Sequence, residues 1–255
     1  MIPKVLSIAG SDPSGGAGIQ ADLKTFAAFD VYGMAVLSAL TAQNTKGVQG
    51  VYPVPAEFLE MQLHSIFADV PPAALKIGMV GDVHSITTLA ALLNRYDARH
   101  IVLDPVMVSS SGDTLISDEA IDALKTYLIP LADVITPNIH EAEILGSDNV
   151  EDLLKLGAKA VLLKGGHADG DTVVDVLASA GGIEHFEAPR IDTKNTHGTG
   201  CTLSAAIAAG LAKGLDLPGA VAEAKSYITG ALQHADALDV GSGSGPVHHF
   251  WKKGS

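Results

Sequence analysis

A run of small residues, Gly198-Thr199-Gly200-Cys201, stands directly before an Ala-rich stretch of helical period. In such a turn successive backbone N–H groups can converge on one anion along the positive end of a helix dipole, so the run can hold a phosphate or a developing oxyanion. The alternative on the same residues is an ordinary glycine turn with Cys201 buried as packing. A second glycine-rich run, Gly10-Ser11-Asp12-Pro13-Ser14-Gly15-Gly16-Ala17-Gly18, joins the first apolar segment to the first helical one. It offers close backbone approach and free helix N-terminal amides to a ligand. Within it, Gly16-x-Gly18-x-x-Ala21 has the form of a dinucleotide-binding fingerprint. However, Gly16 does not directly follow the strand, and the next strand ends in Thr41-Ala42-Gln43-Asn44 without an acid for a ribose, so nicotinamide binding is not read from it.

Two shorter pieces fall where an α/β protein places ligands, just past strand C-termini. Asp104 follows Leu103, and Pro137-Asn138-Ile139-His140-Glu141 follows Thr136. An acid at a strand end can hold Mg²⁺ through water, and Asn138 and Glu141 share one helical face; singly, each such residue is more often a helix cap or turn residue. Lys164-Gly165-Gly166-His167 offers a lysine that either binds phosphate or is solvated. The chain has no Gly-x4-Gly-Lys-Ser/Thr loop, no Gly-x-Ser-x-Gly elbow and no His-Glu-x-x-His pair. Any ATP site must therefore use another phosphate-binding scheme, and the simplest hydrolase readings fall away.

These pieces need a frame. Short apolar runs near Val5–Ala9, Ala35–Leu40, Leu75–Met79, Ile101–Leu103, Val134–Thr136 and Val161–Leu163 alternate with helical patterns over Ile19–Phe29, Glu57–Phe67, Ile86–Tyr96, Asp118–Leu128 and Glu151–Leu156. This alternation predicts βα units around a parallel sheet. Thr172–Arg190 breaks the pattern with two β-rich runs flanking Ala180-Gly181-Gly182 and predicts an antiparallel hairpin. Thr202–Lys213 and Gly219–Leu238 then predict two Ala-rich helices. The tail from Val240 is Gly/Ser-rich and ends on His248-His249-Phe250, which on composition alone reads as flexible or foreign.

The chain has 255 residues, a size suited to one α/β domain over 1–255, and is 47% apolar with 5% aromatic residues, so Ala, Val, Leu and Ile must build the core. With 16 basic and 29 acidic residues, the net charge of −13 disfavours nucleic acid and anionic membrane as partners. Cys201 is the single cysteine, which fits a reducing compartment. No apolar run reaches membrane-spanning length, and the first residues lack a signal-peptide pattern, so a cytoplasmic protein is expected.

Taken in order, Gly10 through Thr25, Lys76-Ile77-Gly78-Met79, Leu103-Asp104-Pro105-Val106-Met107, Thr136-Pro137-Asn138, Lys164-Gly165-Gly166-His167 and Asn195-Thr196-His197-Gly198-Thr199-Gly200-Cys201 closely resemble the hydroxymethylpyrimidine/phosphomethylpyrimidine kinases of thiamine biosynthesis, members of the ribokinase-like superfamily. The resemblance runs from about residue 4 through Phe250, which makes the tail native. It implies a three-layer sandwich, a mostly parallel sheet flanked by helices with a small antiparallel hairpin, and phosphorylation of a pyrimidine hydroxymethyl group and of its monophosphate by ATP with Mg²⁺. By the same resemblance Gly198, Thr199, Gly200 and Cys201 form an anion hole, with Cys201 where many sugar kinases of the superfamily carry an Asp base. Asn138, Glu141 and Lys164 serve ATP, and Asp104 and Glu141 serve the metal. Gly10, Asp22 and Gln43 read the ring, and Met79 and Val106 pack against it. A homodimer or other homo-oligomer is expected. A helix N-terminus and neighbouring cations are expected to depress the Cys201 thiol pKa. A pyridoxal kinase, whose substrate is also a planar nitrogen ring with a hydroxymethyl arm, is the nearest alternative, and a non-catalytic ring- or nucleotide-binding protein the more distant one.

Overall fold

The computed structural model of the chain describes residues 1–107, 116–165 and 170–253. Gly166 and His167 of the lysine motif lie outside the described residues. The strands are β1 (Lys4–Ser11), β2 (Tyr32–Asn44), β3 (Gly47–Pro53), β4 (Ala74–Ile77), β5 (Ile101–Leu103), β6 (Val134–Ile135), β7 (Ala160–Leu163), β8 (Thr172–Ser179) and β9 (Gly182–Pro189). They form one sheet in the order β3-β2-β1-β4-β5-β6-β7-β8-β9. The six strands from β2 to β7 in that order run parallel, while β3 at one edge and the β8–β9 hairpin at the other are antiparallel.

Alternation along each parallel strand divides the core into two layers. Leu6, Ile8, Leu75, Ile77, Leu103, Ile135 and Val161 face α2 (Ala56–Asp69), α3 (Val83–Arg95) and α4 (Asp118–Ala123), whose Leu59, Leu63, Ile86, Leu89 and Leu93 fill the space. Val5, Ala74, Val102, Val134, Ala160 and Leu162 face α1 (Gly18–Ala28), α7 (Thr199–Ala212) and α8 (Leu217–Gln233), where they meet Phe26, Leu203, Ile207, Tyr227 and Ile228. α7 is buried on almost every side, and its run of alanines lets it lie close to both the sheet and α8. The short helices α5 (Ile139–Leu145) and α6 (Val150–Leu154) complete the chain order between β6 and β7.

Two elements differ from the sequence expectation. Gly47–Pro53 forms an edge strand although its two glycines and terminal proline carry no strand pattern; every residue in it is half-buried or exposed, so burial left no signature in its composition. The helix expected over Asp118–Leu128 is α-helical only to Ala123, and Leu124–Leu128 continues as a π-helical turn.

Candidate active site

Strand order reverses at β1, whose neighbours are β2 on one side and β4 on the other, and ligands in open α/β sheets bind beyond the C-terminal ends of strands at such a point. A cleft of about 700 Å³ opens there. Gly10, Gln43, Met79 and Val106 line it, as do Asp104, Asn138, Glu141, Lys164 and the turn Gly198–Cys201, so nearly all the residues singled out from the sequence meet in one place.

Asp22 does not. It is fully buried on α1 beneath the cleft and absent from its lining. Its carboxylate accepts two hydrogen bonds from Lys76 Nζ, at 3.0 and 2.9 Å, and one from Ser7 Oγ at 2.5 Å. Asp22 therefore holds Lys76, and the reading of it as a ring contact is corrected. Lys76 is the residue that sequence reasoning passed over. Its place in an otherwise apolar strand, Ala74-Leu75-Lys76-Ile77, was the available signal, because a strand lysine with apolar neighbours on both sides is buried and must be paired. Burial, the largest single influence, pushes its pKa down, but the charge and hydrogen bonds of Asp22 together with the neighbouring Cys201 and Asp104 outweigh it and hold Lys76 protonated.

The same alternation that makes the second core layer places a polar column on that face. Ser7 sits in register with Lys76, and Asp104, Thr136 and Lys164 follow at the ends of β5, β6 and β7. Asp104 accepts from Lys164 Nζ at 2.9 Å, from Thr136 Oγ1 at 2.9 Å and from Ser204 Oγ at 3.3 Å. Burial pushes its carboxyl pKa up, but Lys164 and Lys76 draw it below the ordinary value. Lys164 Nζ also stands 3.8 Å from Glu141 Oε2. Burial pushes Glu141 up, against Lys164 and with some help from Asp104. Asn138 and Glu141 form a reciprocal capping box at the start of α5, each side chain accepting the other's backbone N–H at 2.8 Å. The cap reading and the cleft reading hold together, because the cap fixes Glu141 where it also lines the cleft.

The first glycine loop is organised around Asp12. Its carboxylate accepts from the N–H groups of Ser14, Gly16 and Ala17, from Ser14 Oγ, and from His197 Nε2 at 2.8 Å. Burial pushes Asp12 up, but His197, Ser14 and the loop amides leave it well below the usual carboxylate range. The loop amides expected to face a ligand are thus engaged by Asp12, and the loop is a rigid wall against which the anion turn sits. A Cβ on Gly198 would lie 1.8 Å from Gly16 O, and Gly198 has φ +81°, so the two glycine loops touch backbone to backbone. His197 Nε2 also lies 3.5 Å from Gln43 Nε2, and Gln43 Oε1 accepts from Thr41 Oγ1 at 3.1 Å.

Gly198 is the N-cap of α7 and has no side chain to close the helix start. Thr199 turns back, with both its N–H and its hydroxyl on Thr196 O at 3.2 and 2.6 Å, so the anion turn narrows to the amides of Gly198, Gly200 and Cys201. A Cβ on Gly200 would stand 3.3 Å from Lys164 Nζ and 3.6 Å from Asp104 Oδ2, which puts the turn against the cationic end of the cleft. The expected depression of the Cys201 pKa is overturned. Burial pushes the thiol up, and Lys76 is the largest influence in the opposite direction.

Beyond Lys164 the cleft continues between the hairpin and the last helices, lined by Val173, Pro189, Ile191, Leu203, Ile228 and Leu232. At its floor Lys225 Nζ donates to Asp175 Oδ2 at 2.7 Å, and Asp175 Oδ1 accepts from Gly165 N at 2.9 Å. This buried pair, joining residues 50 positions apart, had no local signature in the sequence.

A family profile described as phosphomethylpyrimidine kinase matches residues 12–248. The chain belongs to the phosphomethylpyrimidine kinase family. It is 49% identical to the hydroxymethylpyrimidine/phosphomethylpyrimidine kinase of Rhizobium meliloti, over 97% of this chain and 98% of that protein. It is 48% identical to the Escherichia coli protein of the same description, over 96% of each chain. Among solved structures it resembles Bacillus subtilis pyridoxal kinase in an ADP complex, with a TM-score of 0.90 and 38% identity over the full length of both chains. It also resembles a Clostridium difficile phosphomethylpyrimidine kinase, with a TM-score of 0.80 and 45% identity over 90% of this chain and 99% of that one. The kinase fold is ribokinase-like, and its expected layers, mostly parallel sheet and added hairpin are all present.

Proposed function

We propose that this kinase transfers the terminal phosphoryl group of ATP to the hydroxymethyl oxygen of 4-amino-5-hydroxymethyl-2-methylpyrimidine, and then to the resulting monophosphate, for thiamine biosynthesis. The observation that carries this reading is the position of the α7 turn, which adjoins the Lys164–Asp104–Glu141 cluster on one side and the Gln43, Met79 and Val106 end of the cleft on the other. In each transfer a new O–P bond forms at the acceptor oxygen as the O–P bond to ADP breaks. The transition state is loose, so alignment and charge stabilisation carry most of the rate. The amides of Gly198, Gly200 and Cys201 take the anionic oxygens, with Lys164 beside them. Gln43 pairs with a ring edge, Met79 and Val106 cover the ring faces, and Gly10 leaves room for Met79, since a Cβ there would meet Met79 Cε at 2.7 Å.

Cys201 is assigned the hydroxyl proton in the first transfer, with Lys76 opposing the cost of a buried thiolate. Mg²⁺ would supply charge neutralisation on the nucleotide phosphates. Among the described residues no three His, Cys, Asp or Glu side chains form a metal cage. That fits a magnesium ion that keeps its waters and takes few protein oxygens. Asp104 has both oxygens engaged and would act through water, while Glu141 presents its remaining oxygen. An ATP-using enzyme of this kind belongs in the cytoplasm. A homo-oligomer is part of this reading, with exposed Leu40, Tyr52, Phe58 and Met61 on β2, β3 and α2 as its available apolar surface.

Pyridoxal is the second reading, favoured by the structural likeness to the Bacillus subtilis pyridoxal kinase. One experiment separates the readings: product analysis by mass spectrometry with ATP and the pyrimidine alcohol, its monophosphate, or pyridoxal. A pyrimidine diphosphate from both pyrimidine substrates is the expected result. Turnover of pyridoxal alone would replace the primary reading with the second, and no ATP consumption with any of the three would leave a binding protein.

A further inference from the structure

The tail that composition marks as loose is built into the fold beside the cleft, against His197, which lines it. Gly243 N donates to Thr45 Oγ1 at 3.2 Å, Gly245 N to Asn195 Oδ1 at 3.1 Å, and Gly245 O accepts from His197 N at 3.0 Å. Pro246 pairs with His197 as a parallel bridge. Neither glycine has room for a side chain, since a Cβ would lie 1.9 Å from Thr45 O or 2.3 Å from Asn195 Oδ1. Val247 is wholly buried and His249 is 4% exposed, so this stretch is core.

His249 ends the path at the anion turn. Its carbonyl accepts from Tyr227 OH at 2.6 Å, and its ring Nε2 shares a hydrogen bond of 3.0 Å with Thr202 Oγ1. Thr202 directly follows Cys201, is itself fully buried, and closes the first turn of α7 with its N–H on Gly198 O at 2.9 Å. A helical threonine ordinarily turns its hydroxyl back onto the carbonyl four residues earlier, and here the imidazole holds it instead. Burial, with Lys24 and His248, pushes the His249 pKa down to about 3, so the ring is neutral at working pH. Because Gly198 offers no capping side chain, the turn that carries the amides is restrained by other side chains. These are the Thr199 hydroxyl on Thr196 O, the Ser204 hydroxyl on the carbonyls of Gly200 and Cys201, and the grip of His249 on Thr202, the last of which ties the turn to the tail.

We infer that His249 is a positioning residue for phosphoryl transfer, fixing the first turn of α7 through Thr202 and so aiming the amides of Gly198, Gly200 and Cys201. The inference rests on the reading of those amides as the anion hole. A residue that merely packed the core would alter stability and leave the turnover of folded protein unchanged.

The test compares His249→Ala, Thr202→Val, the double variant and His249→Gln, with kcat, KM for each pyrimidine substrate and Tm measured for all. Misplacing an aligned group by about 1 Å costs roughly 100-fold in rate, so each single change should lower kcat by about 10- to 100-fold while KM for the pyrimidine stays within about twofold. The double variant should be no slower than the slower single, and His249→Gln, whose amide can pair with the hydroxyl, should recover part of the loss. A kcat within about twofold of the parent in folded Thr202→Val and His249→Ala, or losses that multiply in the double, would overturn the inference. Should His249→Ala not fold, Thr202→Val decides on the same thresholds. Gly200→Ala separates the underlying reading: normal turnover in that variant removes the anion hole and this inference with it. Loss there with normal turnover in Thr202→Val removes only the role of His249.

Discussion

Replacing Lys76 with Met removes the cation on which the floor of the cleft is built. Lys76 and Asp22 are both fully buried, and two of the three hydrogen bonds on the Asp22 carboxylate come from the lysine. Methionine fills the space of the stem, so the loss comes from a buried carboxyl group left with Ser7 alone, whose pKa burial already pushes up against the pull of Lys76. Breaking one side of a buried pair costs about 3–5 kcal/mol. For a chain of this size that corresponds to a fall in Tm of roughly 6–20 °C. Removing the anion too, in Lys76→Met/Asp22→Leu, should restore all but about 1–3 kcal/mol, the cost of the stranded Ser7 hydroxyl. The thiol gives an independent reading. Burial pushes Cys201 up and Lys76 opposes it most, so Lys76→Met should slow alkylation by iodoacetamide between about pH 7 and 9 and move its midpoint upward. The double variant should recover part of the rate, because Asp22 also pushes the thiol up, yet stay slower than the parent although its stability returns, and Lys76→Arg should keep the parent profile. Urea denaturation and alkylation rates measured across that pH range test both parts. A loss below about 1 kcal/mol, or an unchanged alkylation profile, refutes the reasoning.

Gln43→Ala should weaken pyrimidine binding by about 1–3 kcal/mol, roughly 5- to 150-fold, and leave nucleotide affinity unchanged by calorimetry; unchanged pyrimidine affinity would remove Gln43 from the ring site. Asn138→Ala with Glu141→Ala should lower turnover and raise the Mg²⁺ midpoint in a titration, with about 0.5–2 kcal/mol of stability lost from the broken capping box. An unshifted midpoint with normal turnover would leave only the cap. Asp12 is held below the usual carboxylate range, so its stabilising effect is complete above the ordinary aspartate pKa and is lost as pH falls toward its lowered value. The stability difference between the parent and Asp12→Asn should therefore be flat from about pH 7 to 5 and narrow below about pH 4, by urea denaturation at each pH.

The parallel core was legible because each strand carries a short apolar run and each long helix a periodic one, and these survive without knowledge of partners. The edge strand Gly47–Pro53 was not, because it buries too little to constrain its residue types. Gly198–Cys201, Asp104 and Glu141 were legible as residue types at strand ends and a helix start. What they bond to was not. Asp12 meets His197 across 185 positions, and Lys76 meets Asp22 across 54, so no local pattern records either pair. The Cys201 expectation failed for a related reason: sequence shows the helix start and the lysines, but it does not show that the thiol is partly buried at the cleft wall, and burial is the larger influence.

The contact of Gly198 with Gly16 bears on how tolerance to substitution is interpreted. A scan of every position for lost growth or activity would score both glycines as intolerant as any group that touches a phosphate. Neither need be failing through contact with a phosphate, since a Cβ on Gly198 would meet the carbonyl oxygen of Gly16 at 1.8 Å and one on Gly16 would meet the His197 ring at 2.3 Å. Nor would a change at one be rescued by a change at the other, because the clash at Gly198 is with a main-chain oxygen that no substitution removes and the clash at Gly16 is with the ring of His197. Two loops far apart in the chain are therefore locked into a shared history, and a variant library aimed at altering substrate choice gains more from Gln43, Met79 and Val106 than from either glycine.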